Sequence, residues 1–141
     1  EKPSLQKLIA ELKLEDNIEL LGFISEEEMS LFFQRGKVFV LTSEAEGFPR
    51  TILQAAACSI PVVCSMVGDI SDVVEHNVNG FCIKDGDNIM DYVHCIRELL
   101  TNTTLNQTFG ERLNTKVREQ FNHSQATKVW KEIIYKVKSH E

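Results

Sequence analysis

Two carboxylates, a glycine and a cation lie close together in residues 43–58, which read SEAEGFPRTILQAAAC. Glu44 and Glu46 follow a β-branched apolar run, 37–42, that predicts a buried strand. In parallel α/β sheets, ligands bind beyond the carboxyl ends of the strands. This stretch is therefore the first candidate for a binding site.

The helix predicted directly after this loop suits an anion. Pro49 fits a helix start, because its missing N–H costs nothing there. Backbone amides near residues 48–51 have no partner within the helix, and the helix dipole adds to their field, so this turn is suited to phosphate. Gly47 allows the backbone to approach a ligand closely. Arg50 and Gln54 are four residues apart and share one helix face. The other face carries apolar residues for the core: Ile52, Leu53 and Ala56.

Each of these residues also has an ordinary structural explanation. A strand–turn–helix with a glycine occurs throughout α/β proteins. Glu44 is equally consistent with a solvated loop residue, Glu46 with a helix N-cap, and Arg50 with a surface charge. The residue types alone leave both interpretations open.

Apolar periodicity predicts short strands alternating with helices. The strands are predicted at 18–24, 37–42, 61–65 and 80–84. Helices are predicted at the N-terminus, from a Ser25–Glu28 capping box to Gly36, over 49–58, near 70–76, from Asp87 as N-cap, over about 104–120, and at the C-terminus. Apolar stripes run along three of these helices: Leu5, Leu8, Ile9 and Leu12; Ile89, Val93, Ile96 and Leu100; and Ala126, Val129, Trp130, Ile133, Ile134 and Val137.

This alternation predicts an α/β fold, a Rossmann-like parallel sheet flanked by helices on both faces. The helices after residue 87 have no strand between them, so we expect a helical C-terminal cap packed on the sheet. The length of 141 residues suits a single domain, 1–141.

The composition excludes several classes of function. A net charge of −6 gives no basic field, which argues against nucleic acid as a partner. No apolar run approaches the roughly 20 residues that span a bilayer. Cys58, Cys64, Cys82 and Cys95 fit no metal or redox spacing, so they are expected as small buried residues of a cytoplasmic protein. The scattered histidines are expected on the surface: His76, His94, His123 and His140.

The segment SEAEGFPRTILQAAACSIPVVCS resembles the donor-binding signature of retaining, nucleotide-sugar-dependent glycosyltransferases of the two-domain B-type fold, the glycosyl transferases group 1. The resemblance continues through VGDISDVVEHNVNGFCIKDGD and includes the upstream segment NIELLGFISEEEMSLFFQRGKVFVLTS. It covers roughly residues 4–100. It implies a donor-binding domain that forms one part of a two-domain enzyme.

The resemblance assigns roles residue by residue. Glu46 with Gly47 is implied to bind donor-sugar hydroxyls, and Phe48, Pro49 and Arg50 to surround the diphosphate. Gln54 stands where the family has a ribose-binding glutamate. The residues implied to line the nucleobase are Phe23 and Ile24. The donor is a nucleoside-diphosphate sugar, and no cofactor and no metal are implied.

The chain departs from the family pattern at three positions. Gln54 is an amide in place of a carboxylate; it still bonds to hydroxyls but loses the strength of a charged acceptor. Pro49 replaces the commonest glycine. Asp69 replaces a second glycine, which puts a close backbone approach at 68–69 in question.

Several family parts are expected to lie outside this chain. They are two strands of the sheet, an arginine–lysine pair that grips the diphosphate, and the N-terminal acceptor domain, so the sheet is expected to be partial. An apolar edge such as 38–41 would then favour self-association. In the full-length enzyme the location is expected to be cytoplasmic, with peripheral contact to a membrane.

These features together predict the donor-side domain of a glycosyltransferase that transfers a glycosyl group to an acceptor hydroxyl with retention. This chain alone is expected to be inactive. The alternative is a non-catalytic nucleotide-binding or assembly module with the same fold. A receiver-like signalling domain fits less well, because strand 18–24 ends in Gly-Phe-Ile rather than in acidic residues.

Overall fold

The computed structural model describes residues 2–84 and 86–138. The helices are α1 Lys2–Glu11, α2 Glu26–Arg35, α3 Arg50–Ala57, α4 Ile70–Val73, α5 Ile89–Thr101, α6 Thr103–Gln120 and α7 His123–Lys138. The strands are β1 Phe39–Leu41, β2 Val62–Ser65 and β3 Phe81–Ile83. All three strands run parallel in the order β1-β2-β3. The predicted α/β class is confirmed.

Helices cover both faces of the sheet, as predicted. On one face, Val62 and Cys64 of β2 pack with Ile52 of α3, Ile70 of α4 and Leu113 of α6. On the opposite face, alternate residues pack on α5 and the first half of α6: Val63, Phe81 and Ile83 with Tyr92, Cys95, Leu99 and Phe109. Because β2 is buried along its whole length, it is the centre of the core.

The strand predicted over 18–24 is wrong. These residues form no strand, and Gly22 adopts a left-handed φ of 72°, which a regular strand does not contain. A strand is stabilised by hydrogen bonds to a neighbour, and β1 pairs only with β2 among the residues that the structure describes. The apolar residues at 18–24 therefore did not indicate the conformation of the local backbone.

Among the side chains that the structure describes, the stripes predicted on the two terminal helices are not buried; Ile133, Ile134 and Val137 of the second stripe lie outside those described side chains. α1 contains no buried residue, and Leu5 and Leu8 are about half exposed, at 48% and 50%. In α7, Val129 and Trp130 are 53% and 64% exposed. The apolar stripes are present in the sequence, but these four side chains remain about half exposed or more. Of the helical cap, α5 and α6 pack against the sheet core.

Helix α5 forms as predicted, but the face that it buries is not the one that carries the predicted apolar stripe. The buried residues are Tyr92, Cys95 and Leu99, whereas Ile89 and Leu100 are 73% and 50% exposed. Both sets have helical spacing, so periodicity alone could not separate them. The predicted N-cap was also wrong: Asn88, not Asp87, accepts a hydrogen bond from the amide of Met90 at 3.2 Å.

The capping box of α2 is confirmed. The Ser25 hydroxyl accepts from the amide of Glu28, and the Glu28 carboxylate accepts from the amide of Ser25 at 3.1 Å. The carboxylate of Glu28 accepts from both the amide and the hydroxyl of Ser25, and these two bonds, the backbone one first, hold the pKa of Glu28 below its ordinary value. The capping box also fixes the backbone directly after residues 23–24.

The cysteines are free thiols, as the spacing predicted. Cys64, Cys82 and Cys95 are buried, and Cys58 is partly buried. Cys64 and Cys82 are register partners on β2 and β3, with their sulfur atoms 3.8 Å apart. The hydrogen bond to Cys82 and burial raise the pKa of Cys64, so it stays protonated.

Three of the histidines, His76, His94 and His123, are exposed as expected, and His140 lies outside the described residues. Within the described ranges, no helix has both the length and the apolar character needed to cross a bilayer.

Candidate functional site

The candidate site lies where β1 and β2 end on the same edge of the sheet. β1 ends at Leu41 and β2 at Ser65, and the loop from 42 to 49 leads into α3. In a parallel sheet this carboxyl edge is where ligands bind. The structure therefore places Glu46 and Gly47 in the region that the sequence predicted.

A hydrogen bond fixes the carboxylate of Glu46. The Ser43 hydroxyl donates to Glu46 Oε1 at 2.7 Å. Ser43 is anchored in turn, because the Ser65 hydroxyl donates to its carbonyl at 2.6 Å. Glu46 is partly buried, whereas Glu44 is exposed and fits the solvated loop residue considered above.

Glu46 is not the N-cap of α3. That position is occupied by Pro49, with φ −75° and ψ 101°, and no side chain caps the helix. The prediction of Pro49 as the first helical residue was therefore one residue off, because the extended ψ of Pro49 delays the helix to Arg50. Pro49 has no N–H to donate, so its contribution is to set the helix start.

A second loop packs tightly beneath the first. Gly68 has a left-handed φ of 54°, and a side-chain carbon at this position would overlap the Glu46 carbonyl. The amide of Asp69 donates to the Gly47 carbonyl at 3.3 Å. The backbone at 68–69 thus lies close to the loop of Glu46, whereas a close approach of this backbone to a ligand stays a prediction.

The surface above Gly47 is open. A side-chain carbon built on Gly47 meets no atom within 4 Å. Arg50, in the first turn of α3, is exposed. The arrangement thus combines a fixed carboxylate, open space over a glycine and a cation at the N-terminal end of a helix. It can accept hydrogen bonds from hydroxyls on one side and attract an anion on the other.

The ring of Phe48 packs away from this surface. Its centroid lies 5.5 Å from that of Phe121, which follows α6, and 39% of the residue remains exposed. The Phe48 side chain therefore joins the loop to the α6–α7 junction. Only its backbone amide remains a candidate for binding phosphate.

Gln54 belongs to α3 and lies beside α2. It is partly buried and lines a small cavity of about 140 Å³ together with Met29, Phe33 and Cys58. Arg50 and Gln54 occupy successive turns of α3, as their spacing predicted. The structure therefore places Gln54 against α2, at one side of the loop that carries Glu46.

The two residues implied to line a nucleobase differ in exposure. Phe23 is 97% exposed, and Ile24 is partly buried. They directly precede Ser25, the N-cap of α2. An aromatic side chain so fully exposed has its ring faces available for stacking.

Sequence reasoning missed the residues that support Glu46. Ser43 and Ser65 fix the carboxylate, and Gly68 seats the loop. Ser65 carried a signal that could have been used, because it is the polar last residue of an otherwise apolar strand. Its exposure is only 2%.

A separate groove of about 640 Å³ lies along β3 and α5 and is lined by residues such as His76, Lys84 and His94. It contains none of the residues predicted to bind the donor. Its volume is not by itself evidence of a site, because its polar lining is mostly exposed surface. We therefore place the candidate site at the loop of Glu46.

Comparison with known proteins agrees with the fold and the sequence signature. The family model for glycosyl transferases group 1 matches residues 1–116. A relative, N-acetyl-alpha-D-glucosaminyl L-malate synthase of Bacillus anthracis, is 28% identical over 134 residues, which is 95% of this chain and 34% of the relative.

Two solved structures resemble the chain closely in fold. A point mutant of TarM from S. aureus, in complex with Fondaparinux, alpha-GlcNAc-glycerol and UDP, has a TM-score of 0.84 and 28% identity, over 93% of this chain and 26% of TarM. Alr3699/HepE of Anabaena, in complex with UDP-glucose, has a TM-score of 0.80 over 97% of this chain and 36% of that protein. Its identity of 24% makes the second likeness evidence for fold alone.

The chain spans about a third or less of these proteins. The match over residues 1–116 nevertheless includes every residue of the candidate site. The chain belongs to the glycosyl transferases group 1 family.

Proposed function

We propose that this chain is the donor-binding part of a retaining glycosyltransferase that uses a nucleoside-diphosphate sugar. One observation carries the proposal: Ser43 holds the carboxylate of Glu46 at 2.7 Å, at the carboxyl end of β1 and beside the open surface of Gly47. A carboxylate fixed in this way can accept hydrogen bonds from vicinal sugar hydroxyls. The family match and the UDP bound to the related TarM support the same choice of donor.

The position of the sugar suggests the roles of the other site residues. The diphosphate would lie at the first turn of α3, near the amide of Phe48 and the charge of Arg50, with Pro49 setting the turn. Gln54 would bond to the ribose. Phe23 and Ile24, which precede α2, would line the base.

In the proposed reaction, the bond between the anomeric carbon and the diphosphate oxygen breaks, and the nucleoside diphosphate leaves with the bonding electrons. A new bond forms between that carbon and an acceptor oxygen on the same face of the sugar. The acceptor hydroxyl passes its proton to an oxygen of the departing diphosphate. Donors aimed at the diphosphate stabilise the charge that develops on the leaving group. No metal and no cofactor are part of this proposal.

The chain alone is proposed to bind nucleotides weakly and not to catalyse transfer. The resemblance implies that the acceptor domain and the arginine–lysine pair of the family lie outside this chain, which spans about a third of the relative from Bacillus anthracis. Two lost charged contacts, at about 1.5–3 kcal/mol each, would weaken a micromolar site to roughly millimolar. Without an opposing domain, water is not excluded from the reacting carbon.

The alternative is a non-catalytic nucleotide-binding or assembly module. Gln54 favours it, because an amide stands in place of the family carboxylate and lies against a small cavity beside α2. A module of this kind would keep its affinity for nucleotides but would need no specific contacts with a sugar. The two functions therefore differ in whether the sugar part of the donor contributes to binding.

Titration of the isotope-labelled chain with UDP, UDP-glucose, ADP-glucose and GDP-glucose, followed by amide NMR shifts, tests the proposal. We expect saturable shifts at residues 46–51 with at least one nucleotide sugar, and a dissociation constant on the order of millimolar. Shifts confined to the β3–α5 groove, or no saturable shift with any ligand, would contradict it. Equal affinity for a nucleotide and its sugar conjugate would favour the module.

A further inference from the structure

Polar groups connect the interior of the sheet to the carboxylate of Glu46. Ser65 is the last residue of β2 and is 2% exposed. Its hydroxyl donates to the Ser43 carbonyl at 2.6 Å, and the Ser43 hydroxyl donates to Glu46 Oε1 at 2.7 Å. A buried strand residue therefore reaches the exposed loop through two short hydrogen bonds.

Tyr92 of α5 lies behind Ser65. The residue is 7% exposed, and its hydroxyl has no hydrogen-bond partner within standard geometry in the described part of the chain. Both side chains lie under Gly86: a side-chain carbon built there would be 3.7 Å from Ser65 Cβ and 4.0 Å from the Tyr92 oxygen. Burial raises the pKa of Tyr92, and the nearby Ser65 hydroxyl opposes that rise.

The chemistry of these groups gives the contact a direction. The proton of Ser65 is already donated to Ser43, so the oxygen of Ser65 has lone pairs available to accept. A buried tyrosine hydroxyl left without a partner costs free energy, and a small approach toward Ser65 removes that cost. Tyr92 would then donate to Ser65, whose hydroxyl donates to the Ser43 carbonyl, while the Ser43 hydroxyl donates to Glu46.

We propose that Ser65 and Tyr92 are positioning residues that hold the Glu46 carboxylate in the orientation that binds the donor sugar. The inference rests on the proposed function. Ser43 occupies one lone pair of Oε1, which leaves Oε2 directed by the same rotamer and available to a sugar hydroxyl. Without this support, a loop carboxylate samples several rotamers. Each ligand must then fix one of them, and the entropy that is lost lowers the affinity.

A purely structural role for Ser65 predicts something different. If the hydroxyl only stabilises the fold, its loss weakens binding of every ligand alike, or of none. If it positions Glu46, removal of the hydroxyl weakens the binding of UDP-glucose and leaves the binding of UDP unchanged. The ratio of the affinities for UDP-glucose and UDP therefore separates the two roles.

The test is an NMR titration of the 141-residue chain with UDP and with UDP-glucose. For Ser65→Ala we expect about fivefold weaker binding of UDP-glucose, the loss of one net hydrogen bond, and little change for UDP. Tyr92→Phe should give a smaller change in the same direction. Ser65→Thr keeps the hydroxyl and should restore the ratio.

Two further variants keep the test decisive. Ser43→Ala removes the bond to Glu46 from a loop and substitutes for Ser65→Ala if that variant does not fold. Asn79→Ala is the control for lost stability: Asn79 is equally buried at 2% but binds Val73 and Glu75 at the opposite end of β3. Asn79→Ala should leave the ratio unchanged.

A readout without ligand accompanies the titration. Three-bond couplings should show one dominant Glu46 side-chain rotamer in the unaltered chain and rotamer averaging in Ser43→Ala and Ser65→Ala. An unchanged rotamer, or parallel weakening of UDP and UDP-glucose, would overturn the positioning role. If Glu46→Gln itself leaves the ratio unchanged, the proposed function of Glu46 fails, which is a different result from failure of Ser65 alone.

Discussion

Gly68 lies directly against Glu46: a side-chain carbon at position 68 would overlap the Glu46 carbonyl oxygen. The loop after β2 therefore supports the loop after β1, and the left-handed φ of 54° at Gly68 makes that contact possible. The position of the carboxylate depends on a backbone contact that is made by a residue 22 positions later in the chain.

We expect Gly68→Ala to displace the loop of Glu46. The variant should lose measurable affinity for UDP-glucose and should be destabilised by about 1 kcal/mol or more, because alanine is strained at positive φ. Binding would be followed by NMR and stability by urea unfolding.

Two other glycines provide matched controls. Gly47→Ala has open space around the new methyl group, so the variant should keep its stability. The methyl group should weaken the binding of a ligand that lies over this position. Gly110→Ala would overlap the Ser59 carbonyl at the far end of the sheet, so it should lose stability without a specific loss of binding per folded molecule. Unimpaired binding by Gly68→Ala would show that the loop does not need this contact.

Gln54→Glu should maintain or strengthen nucleotide binding. The substitution restores a charged acceptor at the position proposed for the ribose, and a hydrogen bond to a charged group contributes about 1.5–3 kcal/mol against about 1 for a neutral one. We expect a gain of at most about tenfold, measured by calorimetry with UDP.

Gln107→Glu is the control, since it makes the same substitution on an exposed residue of α6, away from the cavity that Gln54 lines. A large loss of affinity in Gln54→Glu, with none in Gln107→Glu, would show that Gln54 faces a group other than a ribose hydroxyl.

The capping box predicts a pH dependence of stability. The pKa of Glu28 is lowered in the folded chain by its bonds to Ser25. A lowered pKa adds stability above the ordinary value of 4.5, and that stability is lost as the pH falls through the folded value. Between about pH 6 and about pH 3, Glu28→Gln should therefore lose less stability than the unaltered chain.

Glu27→Gln is the matched control, because it removes a neighbouring charge and leaves the Ser25–Glu28 bonds in place. If both glutamine variants have the pH dependence of the unaltered chain, the capping box does not contribute to stability.

The fold class was predictable because its signals are local. Three apolar runs predicted β1, β2 and β3, although β1 is only partly buried, and the capping box of Ser25 predicted the start of α2. The run at 18–24 misled because apolar character does not reveal a missing strand partner or the left-handed Gly22. For α5, two apolar faces shared one periodicity, and only the sheet decides which face is buried.

The candidate site was predictable only in part. The Glu46–Gly47 loop could be found from its place between a strand and a helix. The support from Ser65 and Gly68 could not, because both contacts join segments about 20 residues apart along the chain. A sequence pattern does not state which backbone oxygen a distant hydroxyl will reach.

The edge of β1 predicts self-association of the isolated chain. β1 is the outer strand of the described sheet, and its Val40 is 37% exposed. An open apolar edge favours pairing with a second copy. We expect an average mass by light scattering that rises with concentration, and a smaller rise for Val40→Lys.

Val129→Lys, on an exposed residue of α7 away from the sheet, is the control and should associate as the unaltered chain does. A monomer at every concentration would contradict the prediction. Association abolished equally by both lysines would place the contact elsewhere.

The most direct measurement of the central claim is glycosyl transfer by the proposed two-domain protein that contains this chain, with Glu46→Ala compared with Glu44→Ala. Glu44 is exposed two residues away and serves as the matched control. If Glu46 binds the donor sugar, Glu46→Ala should lower transfer by at least about a hundredfold with little change in melting temperature, while Glu44→Ala stays active. Survival of activity in Glu46→Ala, or unfolding of that variant, would contradict the account.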